Sequence, residues 1–365
     1  MKTLLILTLS LSFAFNAFGQ QPEYPDSGFT NRAEAKNLTI NGLKEGKWVE
    51  YLTFKFDSNR DYVPVVTKDT GARMFQLTVY KKDKPYGVQI QMDKKGNVAL
   101  KTPYANGMKN GVEKSYNSIN NVNLTTSYLN GKKDGPQVQY AYDGKRIAEQ
   151  KNYTNGLLNG EHKYYTDNGT LQIDEFYING KLDGVKKTYF DNGNIQEEDI
   201  YTNGLMNGVK KFYLKTGELS AEIPYTNDNL NGIVKYYFPG GKLHTESTYI
   251  DGKANGVNKT YFESGHINTE EPYTDNKKNG AFKTYDDNGT LLSEQDYKDN
   301  KLDGYSKEYY SNGQEKSEVP YTNDKANGLG KWYYETGKLK KTIIFTDDKF
   351  GAEKDYDENG NETKQ

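Results

Sequence analysis

From residue 46 onward, short runs of strand-forming residues alternate with turns rich in Gly and Asn. Residues 185–190 (VKKTYF) and 195–201 (IQEEDIY) have the length and the β-branched and aromatic content of strands. The pair Asn192-Gly193 between them is typical of a tight hairpin turn, and a longer Gly/Asn turn at residues 202–208 leads onward. No segment keeps a helical period. The pattern predicts an all-β chain of consecutive hairpins, an antiparallel meander of about 25 strands.

The hairpins recur with a period of 24 residues, apart from one step of 25 and a last step of 23. We number positions from the leading glycine of each repeat, so that Tyr stands at +5 and +17 and a second Gly stands at +9. Leading glycines are Gly87, Gly111, Gly135, Gly160, Gly184, Gly208, Gly232, Gly256, Gly280, Gly304, Gly328 and Gly351. We therefore expect an elongated, single-layer β-meander or solenoid of about 12–13 hairpin repeats.

The same spacing extends backward to Gly46, but the first repeat holds 41 residues, with an excess of 17 around Phe54–Thr70 in the hairpin tip. We expect residues 37–86 to form an atypical N-terminal repeat with a tip insertion and residues 87–365 to form the regular array. Long loops on a regular scaffold often make the specific contact, and Arg60 and Tyr62 lie in this one. The alternative is that the insertion caps the edge strand.

The strand register follows if Asn192-Gly193 is a two-residue turn in which both residues have positive φ. Position +3 then pairs with +14, and the +17 Tyr lies opposite the leading Gly, whose bare backbone its ring can cover. Opposite charges meet in the pairs Lys187–Glu198, Lys211–Glu222, Lys235–Glu246, Lys259–Glu270, Lys283–Glu294 and Lys307–Glu318. An aliphatic stripe is expected on the side away from the +17 Tyr, at Ile195, Leu219, Leu243, Ile267, Leu291 and Leu339.

The composition fits such a sheet and argues against an enzyme. Only 34% of the 365 residues are hydrophobic, whereas 32 are Tyr, so half-polar rings replace a thick aliphatic core. With no Cys and three His, the chain has little for thiol, metal or acid–base chemistry, and we expect no catalytic, cofactor or metal site. The 48 basic and 50 acidic residues nearly cancel, which argues against a nucleic-acid partner.

The first twenty residues are typical of a secretory signal peptide. Lys2 precedes an apolar run from Leu4 to Phe15, and small residues at Ala17 and Gly19 favour cleavage after Gly19. We expect residues 1–19 to be removed, residues 20–36 to be a flexible leader, and the protein to be secreted or periplasmic, at the cell envelope, with no stable membrane insertion. The alternative is a retained anchor, for which the apolar run is short.

The stretch from Tyr177 to Gly184 (YINGKLDG), with Lys187, Tyr189, Asn192-Gly193 and Glu198 after it, resembles the MORN-repeat variant common in bacteria. The resemblance implies a stack of β-hairpins used for binding and assembly, without a catalytic residue set. Many bacterial proteins with this repeat are classed with antitoxins, and eukaryotic MORN arrays are linked to membranes. Five repeats replace the Gly at +20, which Asn and Asp can do in a left-handed turn: Asp228, Asn276, Asn300, Asp324 and Asp348.

Residues that depart from the repeat are the better candidates for partner contacts. Trp48 and Trp332 replace ordinary strand residues, and Trp332 continues into Tyr333 and Tyr334, an aromatic run similar to those of cell-wall-binding repeats. Capping of the array ends explains the two Trp equally well. The Asp-Asn-Gly tips supply too few carboxylates for calcium, and turn chemistry explains them.

The sequence therefore predicts an exported, non-enzymatic repeat protein whose sheet is a binding or scaffold surface for another macromolecule, with a protein as the favoured partner. Two alternatives stay open. One is an antitoxin or immunity protein that neutralises a toxin, which the resemblance implies. The other is a repeat protein that binds envelope polysaccharide through exposed Tyr and Trp.

Overall fold

The computed structural model describes residues 29–56 and 62–363, and these are all-β as predicted. The strands pair antiparallel, and within the described ranges the only helical element is the 3-10 turn Arg32–Glu34. No described helix is long and apolar enough to span a membrane. The chain divides into two units, residues 1–169 and 170–365, and each is an open sheet of successive hairpins. The predicted signal peptide falls outside the described residues.

The first unit contains twelve strands within its described part. They are β1 (Leu38–Ile40), β2 (Leu43–Phe56), β3 (Tyr62–Thr67), β4 (Met74–Lys81), β5 (Lys84–Met92), β6 (Val98–Ala105), β7 (Met108–Lys109), β8 (Gly111–Tyr116), β9 (Val122–Leu129), β10 (Lys132–Tyr140), β11 (Ile147–Thr154) and β12 (Leu157–Tyr165).

The second unit contains twenty-three strands in the part that the structure describes. They are β13 (Leu171–Ile178), β14 (Lys181–Leu182), β15 (Gly184–Tyr189), β16 (Ile195–Thr202), β17 (Leu205–Met206), β18 (Gly208–Tyr213), β19 (Leu219–Thr226), β20 (Asn229–Leu230), β21 (Gly232–Tyr237), β22 (Leu243–Ile250), β23 (Lys253–Ala254), β24 (Gly256–Tyr261), β25 (Ile267–Thr274), β26 (Lys277–Lys278), β27 (Gly280–Tyr285), β28 (Leu291–Lys298), β29 (Lys301–Tyr309), β30 (Glu315–Thr322), β31 (Lys325–Ala326), β32 (Gly328–Tyr333), β33 (Leu339–Thr346), β34 (Lys349–Tyr356) and β35 (Glu362–Thr363).

The described residues form 35 strands, more than the predicted 25. The difference arises because, in most repeats, the strand that contains the leading glycine is interrupted just before that glycine. In the Gly208 repeat the amide of Asn207 bonds to the carbonyl of Ile200, and the ladder resumes at Gly208 with φ +145°. A Cβ at position 208 would lie 2.8 Å from the Cβ of Ile200. The leading glycine is therefore needed both for its backbone conformation and for the side chain that lies over it.

The prediction of a two-residue turn at Asn192-Gly193 is wrong. Among the tip residues only Gly193 has positive φ, +86°, and the bonds from Gly193 N–H to the Phe190 carbonyl and from Phe190 N–H to the Asn194 carbonyl close a three-residue loop. This is a type I turn followed by a left-handed glycine. The register is nevertheless the predicted one, because a bulge beside Tyr189 compensates for the longer loop.

The turn with two positive-φ residues occurs at the other link of the repeat, at +19 and +20. Asn203 and Gly204 have φ +53° and +87°, and Thr202 pairs directly with Leu205. At the five repeats without glycine the residue at +20 keeps φ between +65° and +70°, as expected for Asn and Asp. Asp228 also accepts the amide of Met206 of the preceding repeat at 2.7 Å, a bond that a glycine cannot make.

The predicted register is confirmed through the second unit. Position +3 lies opposite +14, and the +17 aromatic ring lies opposite the leading glycine, as Lys187 lies opposite Glu198 and Tyr201 opposite Gly184. The aliphatic stripe at +11 pairs with the +5 Tyr, for example Ile195 with Tyr189. Since directly paired residues share a face, this stripe lies on the side away from the +17 Tyr, as expected.

Aliphatic cores exist only near the two ends of the described chain. In the first unit Phe29 (1% exposed) packs with Leu77 and Ile90. Residues 20–36 were expected to be a leader; residues 20–28 lie outside the described part, whereas Phe29 is buried and Lys36 donates its amide to the carbonyl of Lys47. In the second unit Ala326, Ile343 and Phe345 form a small cluster.

The insertion of the first repeat lengthens its hairpin into an arm. Strand β2 pairs with β4 from Gly46 to Leu52, as in other repeats, and its end from Tyr51 to Phe56 pairs with the inserted strand β3. The short strand β1 covers the opposite end of β2. Together β1 and β3 cover most of the outer edge of β2, which agrees with the capping interpretation of the insertion.

Candidate functional site

Lys and Glu alternate along one continuous row that crosses the second unit. The +14 residue of one hairpin pairs with the +3 residue of the next, so Glu198 lies between Lys187 and Lys211. The row, in strand order, is Asp174, Lys187, Glu198, Lys211, Glu222, Lys235, Glu246, Lys259, Glu270, Lys283, Glu294, Lys307, Glu318 and Lys331. We call the side of the sheet that carries it the ladder face.

Four Glu of the row also accept a hydrogen bond from a Tyr of the following repeat. Glu198 lies 3.0 Å from the Lys187 ammonium and accepts the Tyr213 hydroxyl at 2.8 Å. Burial raises the pKa of Glu198, but the bonds from Tyr213 and Lys187 outweigh it and hold that pKa below its usual range. Burial together with the bond to Glu198 raises the pKa of Tyr213 to about 12. The same bond recurs for Tyr237, Tyr261 and Tyr285.

The opposite face carries the +17 Tyr and a cluster of charges at +2, +13 and +15. Lys210 bridges Glu197 at 2.5 Å and Asp199 at 3.3 Å, and Asp199 is only 3% exposed. Burial and the neighbouring Glu197 raise the pKa of Asp199 to about 6, against the opposing effect of Lys210. Lys210 thus pairs with both carboxylates within the sheet, although the buried Oδ1 of Asp199 has no hydrogen-bond partner among the described residues.

A line of exposed apolar side chains runs beside the charged row on the ladder face. Positions +1 and +16 pair directly, as Val185 does with Ile200 and Leu329 with Ile344, two residues along the strand from the row. We define the apolar stripe as the eight members in the second unit that are 36–48% exposed: Phe176, Val185, Ile200, Ile233, Val257, Tyr305, Leu329 and Ile344. Pro224, Pro272 and Pro320 fill intervening +16 positions.

The two ends of the hairpins are linked to their neighbours through their own turn residues. At the tips, Asn192 donates its side-chain amide to the Lys215 carbonyl of the next tip at 2.9 Å. At the other end, Asn207 accepts the backbone amide of Asn227 at 3.1 Å. These bonds make the turns part of the scaffold, so the faces are the better place for a partner.

Comparison with known families identifies the repeat. Seven segments match the MORN repeat variant: residues 158–179, 182–203, 230–251, 254–275, 278–299, 302–323 and 326–347. The chain carries MORN-variant repeats. The Gly208 hairpin lies between matched segments and has the same strand pairing, so the MORN geometry continues through it.

Comparison with curated proteins gives no match. Solved structures with some similarity include a crystal structure of TcdB2-TccC3-Cdc42 (12% identity, TM-score 0.16), one of TcdB2-TccC3-TEV (13%, 0.17) and the Photorhabdus luminescens Tc holotoxin pore (12%, 0.17). They cover 84–85% of this chain, which spans only 18–20% of theirs. At these TM-scores the similarity carries no argument about this MORN array.

Trp48 lies at the N-terminal end of the MORN-like hairpins within a polar and aromatic cluster. Its indole N–H donates to the carbonyls of Leu38 at 3.0 Å and Glu45 at 3.1 Å, and its ring meets that of Tyr80 edge-on. The Lys44 ammonium lies 4.9 Å from the Trp48 ring centre. These contacts fit the capping interpretation of this residue.

Trp332, Tyr333 and Tyr334 do not form one surface. Trp332 packs on Phe345 over Gly330, where a Cβ would lie 2.8–3.0 Å from the two rings. Tyr333 follows on the ladder face, paired with Leu339, and Tyr334 donates its hydroxyl to the carbonyl of Tyr356 at 2.9 Å. The structure thus gives the three residues separate packing roles.

The insertion candidates lie at the edge of what the structure describes. Arg60 is outside the described residues, and Tyr62 opens β3, paired with Phe56. Elsewhere in the described part, no group of three or more His, Asp or Glu side chains could hold a metal ion. Sequence reasoning missed the apolar stripe, although its signal, recurrent Val, Ile and Leu at +1 and +16, is visible in the repeats.

Proposed function

We propose that this protein is an exported, non-enzymatic scaffold that binds another protein through the ladder face of its second unit. The apolar stripe carries the proposal. Eight apolar side chains, each about two-fifths exposed, lie at +1 or +16 along one face of the second unit beside the charged row. Clustered exposed apolar side chains mark contact sites for other macromolecules, and polar residues interrupt this line at only two +16 positions, Thr248 and Asp296.

The charged row favours a protein partner over a polyanion. The seven Lys of the row are balanced by six Glu and Asp174, with Nζ–Oε1 distances of 3.0 Å at Lys187–Glu198 and 3.7 Å at Lys259–Glu270. A row of alternating sign has no net field to attract nucleic acid. It complements a protein surface that carries apolar side chains together with charges of both signs.

The two alternatives from the sequence gain less support. A glycan-binding surface needs exposed aromatic faces, whereas Trp48 and Trp332 are packed against Tyr80 and Phe345. An antitoxin role is one form of protein binding and remains a special case of the proposal. Export is inferred from Met1–Gln20 alone, and N-terminal sequencing of the protein recovered from its native host tests it directly.

The experiment compares two triple variants with equal added charge. In the stripe variant Val185, Ile233 and Leu329 become Lys, and in the control variant the exposed hairpin-tip residues Thr216, Asn288 and Ser311, which lie off the ladder face, become Lys. Each protein is immobilised, and the proteins captured from a native-source extract are quantified. Partners held by the wild type and the control but lost from the stripe variant support the proposal.

Circular dichroism and thermal unfolding establish that both variants fold. Since the substituted side chains are already exposed, we expect melting temperatures close to that of the wild type. If the stripe variant retains every partner that the wild type captures, the ladder face of the second unit is not the binding surface.

A further inference from the structure

The row that alternates Lys and Glu in the second unit has no carboxylate along its equivalent in the first unit. In strand order it reads Val49, Leu77, Ile90, Lys101, Lys114, Thr125, Val138, Gln150 and Lys163. Its apolar start belongs to the Phe29 core. Its middle brings two lysines together.

Lys101 and Lys114 are directly opposed on the paired strands β6 and β8. Lys101 occupies position +14, which holds Glu in most repeats of the second unit, and Lys114 occupies +3. Like charges on directly opposed strand positions destabilise a sheet. Within the described residues neither ammonium group has a carboxylate at ion-pair distance, although 25 other such pairs involve Lys, Arg or His.

The second unit shows what this position normally contains. There Lys211 and Tyr213 flank Glu198, which accepts the Tyr213 hydroxyl at 2.8 Å and lies opposite Lys211. In the first unit Lys114 and Tyr116 have the places of Lys211 and Tyr213, and Lys101 has the place of the Glu. The hydrogen-bond donors Lys114 and Tyr116 are therefore present, but the Glu that would accept from them is replaced by Lys101, which is also a donor.

Two carboxylates close to these lysines in the sequence, Glu113 and Asp93, are bonded to other groups. Glu113 lies one residue before Lys114, hence on the opposite face, where it accepts Lys109 and the Thr102 hydroxyl at 2.8 Å. Asp93 accepts the backbone amides of Lys95 and Asn97 within its own turn, each at 2.8 Å. Neither side chain can neutralise the opposed lysines without giving up these bonds.

We propose that Lys101, Lys114 and Tyr116 form a binding site for a carboxylate, supplied by an Asp or Glu side chain of a protein partner. The proposal rests on the proposed function, since it names a chemical feature of that partner, but it concerns the first unit alone. A carboxylate in this place would complete the ladder as Glu198 does and would relieve the repulsion between the lysines. Thr125, directly opposite Lys114, adds a further hydroxyl, and Val112 beside it is 37% exposed.

The test uses acetate as the probe on the full chain. Sodium acetate replaces sodium chloride at constant ionic strength while NMR follows the Tyr116 ring and the Lys101 and Lys114 side chains. We expect a saturable shift in the wild type. Lys101→Glu, which rebuilds the ladder internally, should abolish the acetate shift and raise the midpoint of urea unfolding. Lys145→Glu, at an exposed tip, makes the same charge change as a control and should leave the acetate shift intact.

The Lys101→Met variant removes the ammonium group without adding a negative charge. It should also lose most of the acetate shift, which would show that the loss in Lys101→Glu is not caused by the new carboxylate alone. Inorganic phosphate forms a separate arm, and a response to phosphate larger than to acetate at equal ionic strength would overturn the assignment to a carboxylate. An acetate shift that persists in both Lys101 variants would overturn the site itself.

The partner assay separates this inference from the proposed function. If stripe-dependent partners are captured equally by the wild type and Lys101→Glu, the site does not contact the partner, although the proposed function stands. If acetate binds as expected but no partner depends on the stripe, the proposed function fails while the anion site remains.

Discussion

Lys187 and Glu198 face each other across neighbouring strands with 3.0 Å between Nζ and Oε1, and Glu198 is shared with the next hairpin through the Tyr213 hydroxyl. One carboxylate thus links three strands: β15, β16 and β18. The Tyr bond recurs at Glu222, Glu246 and Glu270, so polar contacts on the ladder face contribute stability that an aliphatic core provides in other proteins. Four predictions follow from the way these repeats are linked.

Replacing Glu198 by Lys should weaken the second unit. The new ammonium group would lie between Lys187 and Lys211, and the Tyr213 hydroxyl would lose its acceptor. We expect the free energy of unfolding to fall by about 1–2 kcal/mol. Urea denaturation measures this. Glu308→Lys is the control, because Glu308 is 55% exposed and its pair with Lys316 is worth little. Equal losses in the two variants would contradict a structural role for the row.

Asp199 should make the second unit less stable as the pH rises through about 6. Its pKa is raised in the folded state, so the folded form binds the proton more tightly than the unfolded form. The stabilisation is complete below the unfolded pKa of about 4 and is lost as the pH rises through the folded value. Between pH 5 and 8 we expect a loss of up to about 2 kcal/mol in the wild type.

The Asp199→Asn variant tests this assignment. It removes the titrating group, so its free energy of unfolding should stay nearly constant across the same pH range. Asp191→Asn at an exposed hairpin tip should retain the pH dependence of the wild type. Urea denaturation at pH 5, 6, 7 and 8 provides the comparison, and parallel curves for Asp199→Asn and the wild type would refute the prediction.

The Asp at +20, which has a left-handed backbone conformation, should stabilise the fold more than the glycine that other repeats have there. Asp228 has φ +65° and accepts the Met206 amide at 2.7 Å. Asp228→Gly keeps the conformation but loses the bond, at a cost of about 1 kcal/mol. Asp228→Ala loses the bond and strains the backbone, which adds about 1 kcal/mol. The expected order of thermal stability is wild type, Gly, Ala. A more stable Gly variant would show that the bond contributes nothing.

Removing whole repeats should leave the second unit folded. Deletion of residues 208–255 places Glu198 opposite Lys259, and the pairing on either side of the junction is the same as in the intact protein. Deletion of residues 208–219 removes half a hairpin and is the matched control, since it brings unlike positions together. Circular dichroism and thermal melts should show a cooperative β-protein for the first and not the second. Collapse of both would contradict local stabilisation.

The register at Asn192-Gly193 shows how far sequence reasoning reached. The pairing of Lys187 with Glu198 was correct, although the turn type assumed for it was wrong. A three-residue turn shifts the pairing by one position and a bulge beside Tyr189 shifts it back. The turn type depends on backbone twist and on the bulge together, so it cannot be predicted from the tip residues alone.

The candidate sites were predicted less well than the fold. Trp48 and Trp332 stood out because they break the repeat, yet their rings complete clusters with Tyr80 and Phe345. The apolar stripe was overlooked because Val185 and Ile200 are ordinary strand residues. Their exposure depends on which face of the sheet is covered, and that is a property of the folded chain.

The sequence by itself determined the period, the hairpin architecture and the opposition of +3 and +14, because a repeat of period 24 imposes the same local solution on each copy. Only the tertiary structure decided that Phe29 is buried against Leu77, that Glu198 also serves Tyr213, and that Lys101 meets Lys114 without an acceptor. These contacts join residues of different strands, and their energy depends on distances that no single repeat contains.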